Sequence, residues 1–204
     1  MESIENWAKQ GHTQADRFIN WLSQQQWKYA GHSSIQLLPK INDSELVKIL
    51  TTEQENFMAQ PDWQARCYEA SWFNHQERNS IIKRLQEQSG KGIYTRMIAR
   101  LCEIADLINK LQQFFQGKVG LITPISTVIG LAHTDVAWGR LSHYVQLEGD
   151  RVKRIFILVP TEWNFHSQGV AVDSSCYLHT TEDLPVHAID PCVGYQLQRL
   201  YTNA

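Results

Sequence analysis

The sequence predicts an α+β fold that is mostly helical and forms a single domain over residues 1–204. Apolar residues recur at helical spacing up to about residue 117, whereas β-branched and small residues interrupted by glycine and proline follow. Two β-prone runs then flank Gly149-Asp150, a pattern typical of an antiparallel hairpin. We therefore expect a helical part over about residues 1–117, then a hairpin and a C-terminal segment over about residues 118–204.

The composition indicates a soluble globular protein with a core of ordinary size. Apolar residues make up 43% of the 204 residues and charged residues 20%. Lys and Arg number 19 against 21 Asp and Glu, and no basic cluster suggests a nucleic-acid partner. We find neither a signal peptide nor an apolar run near the ~18 residues of a membrane span, so we expect a cytoplasmic protein without membrane contact.

Three helices are predicted ahead of the longest one, over residues 13–30, 42–59 and 63–88. Gly31 is expected to end the first helix in a left-handed cap. Asn42 supplies a capping side chain for the second, and Pro61 stops it. Ser89-Gly90 closes the third helix.

The strongest helical pattern runs from Ile93 to Phe115 and predicts the central core helix. Its apolar stripe consists of Met97, Ile98, Leu101, Ile104, Ala105, Ile108, Leu111, Phe114 and Phe115.

The remaining chain is predicted to be less regular. Residues 119–138 favour extended chain with sharp turns, and the hairpin is expected over Tyr144 to Val159. Residues 161–185 are polar and are expected to form a loop. Asp190-Pro191 then predicts a short final helix through Leu200, because proline is tolerated in the first turn.

No catalytic residue is predicted, because the sequence lacks a nucleophile elbow, a glycine-rich phosphate loop and a C-x-x-C pair. The segment from Val159 to Gly169 nevertheless leads from a strand into a loop rich in aromatic and hydrogen-bonding groups. Either this loop carries a site, or Trp163 and Phe165 fill the core while Asn164 and His166 fix the turn.

Cys192 is the second candidate for a functional site, as a metal-binding or reactive cysteine. In the first turn of a helix that begins near Asp190, its thiolate would be stabilised by the positive end of the helix. The alternative is a cysteine that packs as a small apolar side chain.

Four motifs in order resemble the C-terminal part of the large subunit of nickel–iron hydrogenases. They are Gly139-Arg-Leu-Ser-His143, Gly149-Asp-Arg-Val152, Val159-Pro-Thr-Glu-Trp-Asn164 and Asp190-Pro-Cys192. In that subunit two C-x-x-C pairs hold nickel and iron. Here Tyr195 stands at the position of the last cysteine and the first pair has no counterpart, so the resemblance implies neither nickel nor enzymatic activity.

The chain resembles most the hydrogenase accessory proteins called HupK, or HoxV in some systems. The matching segments are Gly31-His-Ser-Ser-Ile-Gln-Leu-Leu-Pro39, Pro61-Asp-Trp63 with Glu69, Arg96-Met-Ile-Ala-Arg-Leu-Cys-Glu103, Pro160-Thr-Glu-Trp-Asn-Phe-His166 and Asp190-Pro-Cys-Val-Gly-Tyr195. The resemblance implies a large-subunit-like core and a scaffold or chaperone role in hydrogenase maturation. The implied partners are the large-subunit precursor and other maturation proteins.

The resemblance also implies a transient iron ligand. Cys192 would bind iron as the Fe(CN)2CO fragment, and five residues would surround it, namely Asp190, Trp163, Asn164, His166 and Tyr195. The alternative is a metal-free mimic of the large subunit that only binds maturation factors or the precursor. A third interpretation, a truncated enzyme or an independent redox enzyme, fails on the number of thiolate ligands.

Overall fold

The computed structural model describes residues 4–25, 27–120, 129–176 and 184–196. Helix accounts for 48% and strand for 16%, so the expected mixture of helix and strand with a small antiparallel sheet is confirmed. None of the described helices has the length and apolar character needed to cross a membrane.

The helices are α1 (Ile4–Ala8), α2 (Gln14–Gln24), α3 (Asp43–Thr52), α4 (Gln54–Ala59), α5 (Trp72–His75), α6 (Ser80–Ser89), α7 (Ile93–Phe115), α8 (Pro160–Asn164), α9 (Val170–Ser175) and α10 (Leu184–Ile189). The strands are β1 (Gln36–Leu37), β2 (Tyr68–Glu69), β3 (Leu131–Val136), β4 (Gly139–Glu148) and β5 (Arg151–Leu158).

Helix α2 is shorter than the sequence predicts. It begins in a capping box formed by Thr13 and Asp16, but it ends at Gln24, since Gln25 is extended. Gly31 is therefore not its cap. Its φ of +61° instead lets the chain pass closely over α7, where an added Cβ would lie 2.9 Å from Ile93 Cγ1.

The second predicted helix is divided in two, and the first part of the third is not helical. The Asn42 side chain caps α3 as predicted by accepting the Ser44 N–H, but α3 ends at Thr52 and α4 begins at Gln54. Residues 63–71 contain two positive φ angles, at Gln64 and Ala65, and then the short strand β2. This strand is buried and pairs in parallel with β1, a long-range contact that outweighs local helical spacing.

The bounds of α7 are those that the sequence predicts, but its role as a core helix is confirmed only for its first half. Its buried residues are Ile93, Tyr94, Thr95, Arg96, Ile98, Ala99 and Glu103. The stripe beyond residue 103 is exposed, so the expectation of a core helix over its whole length is wrong.

The predicted hairpin is present as β4 and β5, joined at Gly149, which has a φ of +60°. The register shifts between Gln146 and Leu147, where an irregularity interrupts the ladder. Strand β3 adds to β4 and gives the antiparallel order β3-β4-β5. The rest of the predicted extended stretch, residues 121–128, lies outside the described residues.

Two expectations for the C-terminal part are wrong. The expected loop contains α8 and α9, which are only 5 and 6 residues long, too short to show a helical period. The expected final helix is absent from residues 190–196, because α10 ends at Ile189 and Asp190 adopts a φ of +58°. Residues 197–200 of that predicted helix lie outside the described residues.

The core consists mainly of two apolar clusters. One is built from α1, α2, α5, α6 and the first half of α7, and includes Trp72 and Phe73. The other packs the sheet against α3, α4 and α8, and includes Tyr68, Ala70 and Trp163. The β2 segment, residues 68–73, contributes side chains to both clusters and so connects the helical part to the sheet.

Candidate functional site

The segment that carries Cys192 is tied to α7 through Asp190. Arg100 Nη2 lies 2.5 Å from Asp190 Oδ2, and the guanidinium group stacks 5.1 Å from the ring centroid of Trp72. The left-handed backbone at Asp190 turns the chain sharply after α10. Arg100 thus fixes the start of the Asp190-Pro-Cys192 motif on the central helix.

Cys192 is exposed, and its sulfur lies 3.2 Å from Thr161 Oγ1. It follows the C-terminal end of α10 instead of opening a helix, so the predicted stabilisation by a positive helix end is wrong. The contact with Thr161 places the cysteine beside α8. The exposed sulfur is therefore not enclosed in the core.

Trp163 and Asn164 are buried and contact the β2 segment. Trp163 is 1% exposed and meets Phe57 and Tyr68 edge to face. Asn164 Oδ1 accepts the Ala70 N–H at 2.8 Å, and its Nδ2 donates to the Ala70 carbonyl at 2.7 Å. These contacts agree with the interpretation in which Trp163 fills the core and Asn164 fixes the turn. Phe165 is 36% exposed, so the expectation that it also fills the core is wrong.

His166 contacts a cysteine that the sequence did not single out. Its Nδ1 lies 2.9 Å from Cys67 Sγ and accepts the Gln168 N–H at 3.0 Å. Burial raises the pKa of the Cys67 thiol, and the nearby Asp62 carboxylate adds to this effect. The raised pKa favours the protonated thiol, which can donate its S–H to the imidazole nitrogen.

Tyr195, at the position of the missing cysteine, contacts His187. The phenol oxygen lies 3.2 Å from His187 Nε2, and the two rings meet edge to face at 5.9 Å. The polar contacts pair Cys192 with Thr161, His166 with Cys67, and Tyr195 with His187. Within the described ranges, no three His, Cys, Asp or Glu side chains form a group that could hold a metal ion.

A cavity of about 240 Å³ lies where the sheet meets the helical part, and several motif residues line it. Gly139, Arg140 and Ser142 come from β4, and Trp163 comes from α8. His133 lines the same cavity and contacts two polar side chains. Its Nδ1 lies 2.8 Å from Ser142 Oγ, and its Nε2 lies 3.2 Å from Asp43 Oδ1. Sequence spacing did not predict this cavity, because its walls come from segments that are far apart in the chain.

A buried ion pair connects β2 to α7. Glu69 is 0% and Arg96 is 2% exposed, and Arg96 Nη1 lies 2.5 Å from Glu69 Oε1. The Ser71 hydroxyl donates to the same carboxylate oxygen at 2.8 Å. Glu69 Oε2 and Arg96 Nη2 are buried without a hydrogen-bond partner in the described part of the chain.

Comparison with known proteins finds relatives of one kind, although no family model matches. The chain is 29% identical to the hydrogenase expression/formation protein HupK of Bradyrhizobium diazoefficiens over 173 residues, which cover 78% of this chain and 46% of the relative. It is 27% identical over 176 residues to the expression/formation protein HoxV of Cupriavidus necator, covering 76% of this chain and 43% of the relative.

A shorter match reaches higher identity. The HupK protein of Rhizobium leguminosarum bv. viciae is 34% identical over 77 residues, which cover 33% of this chain and 21% of the relative. The chain spans less than half the length of these curated relatives. The resemblance inferred from the motifs is confirmed: this chain is similar to hydrogenase expression/formation proteins of the HupK and HoxV type.

Proposed function

We propose that this chain is a non-catalytic accessory protein in nickel–iron hydrogenase maturation, and that it carries the Fe(CN)2CO fragment as cargo for the large-subunit precursor. The observation that carries the proposal is its similarity to HupK and HoxV proteins, which extends over 78% and 76% of the chain. The Asp190-Pro-Cys192 motif supports it, because it retains one thiolate of the enzyme's metal site.

The position of Cys192 suits transient binding. Its sulfur is exposed, so an iron fragment can reach it and leave it without opening the core. A thiolate is a good ligand for iron, but a single thiolate binds weakly. Among the described residues, no three His, Cys, Asp or Glu side chains form a group that could add ligands to the iron. A fragment held in this way would pass readily to a precursor that offers four thiolates.

The second candidate function is a metal-free mimic of the large subunit. It is favoured by Trp163 and Asn164, whose side chains are occupied in packing and in hydrogen bonds to Ala70. In this alternative the similarity to the large subunit serves only to bind maturation factors or the precursor.

Replacing Cys192 tests whether the chain carries iron. The protein is co-expressed anaerobically with the other maturation factors, purified, and analysed for iron content and for infrared cyanide and carbonyl bands. We expect Cys192→Ser to lose the iron and these bands, because the sulfur ligand is gone. Cys176→Ser removes another exposed free cysteine and is the matched control, which we expect to keep both signals.

Three outcomes would count against parts of the proposal. Undiminished bands in Cys192→Ser would remove the ligand role of this residue. Absence of the bands in the unmodified protein, together with capture of the precursor, would favour the metal-free mimic. Hydrogen oxidation by the isolated chain with bound nickel would contradict a non-catalytic role.

A further inference from the structure

The second half of α7 projects from the body of the protein. Every residue from 104 to 120 is exposed, although the helix continues without interruption to Phe115. Six large apolar side chains lie on this half, and their exposed fractions are 47% for Ile104, 47% for Leu107, 52% for Ile108, 53% for Leu111, 40% for Phe114 and 78% for Phe115.

Exposing the apolar face of such a helix to water is unfavourable in free energy. The exposed part from Ile104 to Phe115 is about 18 Å long at ~1.5 Å per residue. Isolated helices of this length are marginally stable, because most helical stability in proteins comes from packing of an apolar face. A contiguous apolar surface of this kind on a folded chain indicates an interaction site.

The spacing of the apolar residues indicates that the partner is another helix. Leu101, Ile104, Ile108, Leu111 and Phe115 follow alternating steps of three and four residues, the pattern of a two-helix seam. Along the exposed part of the helix the flanking positions are uncharged, with Leu107 and Phe114 on one side and Ala105 and Gln112 on the other. Arg100, which flanks the half-buried Leu101, pairs with Asp190.

We propose that a second copy of this chain covers the stripe, with the two α7 helices antiparallel about a two-fold axis near Ile108. In this register Ile104 of each copy faces Leu111 of the other. The largest side chain at the tip, Phe115, meets the half-buried Leu101 at the base. Uncharged flanks create no repulsion between identical helices, and antiparallel helix dipoles attract each other.

The available area supports a modest dimer. Taking ~200 Å² for each large apolar residue, the six side chains expose roughly 600 Å² per copy, or about 1,200 Å² for the pair. That value lies at the lower limit of specific protein interfaces. The dimer should therefore dissociate on dilution.

Sedimentation velocity over a concentration series tests the dimer. We expect the unmodified chain to shift from monomer to dimer as its concentration rises. Leu111→Lys should raise the dissociation constant of the dimer by about tenfold or more, because it places a charge in the seam. Gln113→Lys adds the same charge on the opposite side of α7 and is the matched control. Circular dichroism checks that each variant is folded.

A charge pair tests the antiparallel register. Ile104→Glu and Leu111→Lys should each give monomers, whereas the double variant should recover the dimer, because the introduced carboxylate faces the introduced ammonium group of the other copy. Parallel helices would instead place like charges together. A wild-type chain that stays monomeric, a dimer that Leu111→Lys leaves intact, or a double variant that remains monomeric would each overturn the proposed arrangement.

Discussion

At the scale of single residues, the buried Glu69–Arg96 ion pair is the feature whose disruption should cost the most stability. Both side chains are almost completely removed from water, and each retains one buried polar atom without a hydrogen-bond partner in the described residues. The attraction between such groups offsets the cost of desolvating them only while both are present.

We predict that Arg96→Met lowers the free energy of unfolding by about 3–5 kcal/mol, because it leaves the Glu69 carboxylate buried without its counter-charge. Glu69→Met combined with Arg96→Met should recover much of this loss, since no unpaired charge remains. Urea unfolding of the four members of this double-mutant cycle measures the coupling. Additive losses in the two single variants would show that the pair is not coupled.

Sequence reasoning at this scale could identify residue types but not their contacts. Cys192 and His166 stood out because of the motifs around them, whereas the contacts of Cys67 with His166 and of Arg100 with Asp190 join positions that are 99 and 90 residues apart. No local spacing encodes such contacts. Whether Cys192 binds iron stays a prediction.

At the scale of elements, Asp173 on α9 fastens the loop that precedes β1. Its Oδ2 accepts hydrogen bonds from the Ser33 hydroxyl at 2.7 Å and from the Ser34 N–H at 2.8 Å. Burial alone would raise the pKa of Asp173, but the hydrogen bonds from Ser33 and Ser34 outweigh it and lower the pKa below the usual value of 3.8.

This shift predicts an acid-dependent loss of stability. A carboxyl with a lowered pKa in the folded state stabilises the fold above its unfolded pKa, near 3.8, and loses that contribution as the pH falls through the folded value. The difference in unfolding free energy between the unmodified chain and Asp173→Asn should therefore shrink as the pH falls from 6 to well below 3.8. A difference that is independent of pH would contradict this assignment.

Element prediction succeeded where the local pattern was long. Helix α7 has more than six turns of apolar spacing, and its bounds are confirmed. Helices α8, α9 and α10 have at most 6 residues each, too few for a period. Asp190-Pro191 suggested a helix start because aspartate before proline suits both a helix cap and a turn. The structure instead has a left-handed backbone at Asp190 and no helix over residues 190–196.

At the scale of the whole molecule, the β2 segment holds the two apolar clusters together. Ala70 is bound on both backbone groups by Asn164, and a Cβ on Gly139 would lie 3.1 Å from the Ala70 carbonyl carbon. The φ of Gly139 is +120°, so a side chain there would be strained as well as crowded. Close backbone contact thus couples the sheet to the helical part.

We predict that both clusters unfold in one cooperative transition, as expected for a single domain. Hydrogen exchange under increasing denaturant should give the same midpoint for amides around Phe73 in the helical cluster and around Phe156 in the sheet cluster. Two separate midpoints would mean that the chain consists of two independent units. The fold class was predictable because helical spacing of apolar residues gives way to β-branched residues, glycine and proline near residue 117. The coupling between the two clusters was not predictable, because it depends on contacts between segments that are distant in the chain.

The contact between Cys67 and His166 has a consequence for the kind of group that His166 can recognise. Since Nδ1 accepts from both the thiol and the Gln168 N–H, the neutral ring carries its proton on Nε2. In this tautomer the imidazole offers a donor and no lone pair at its remaining nitrogen. A bare cation is then a poor match for the free ring nitrogen of His166, whereas a hydrogen-bond acceptor is a good one.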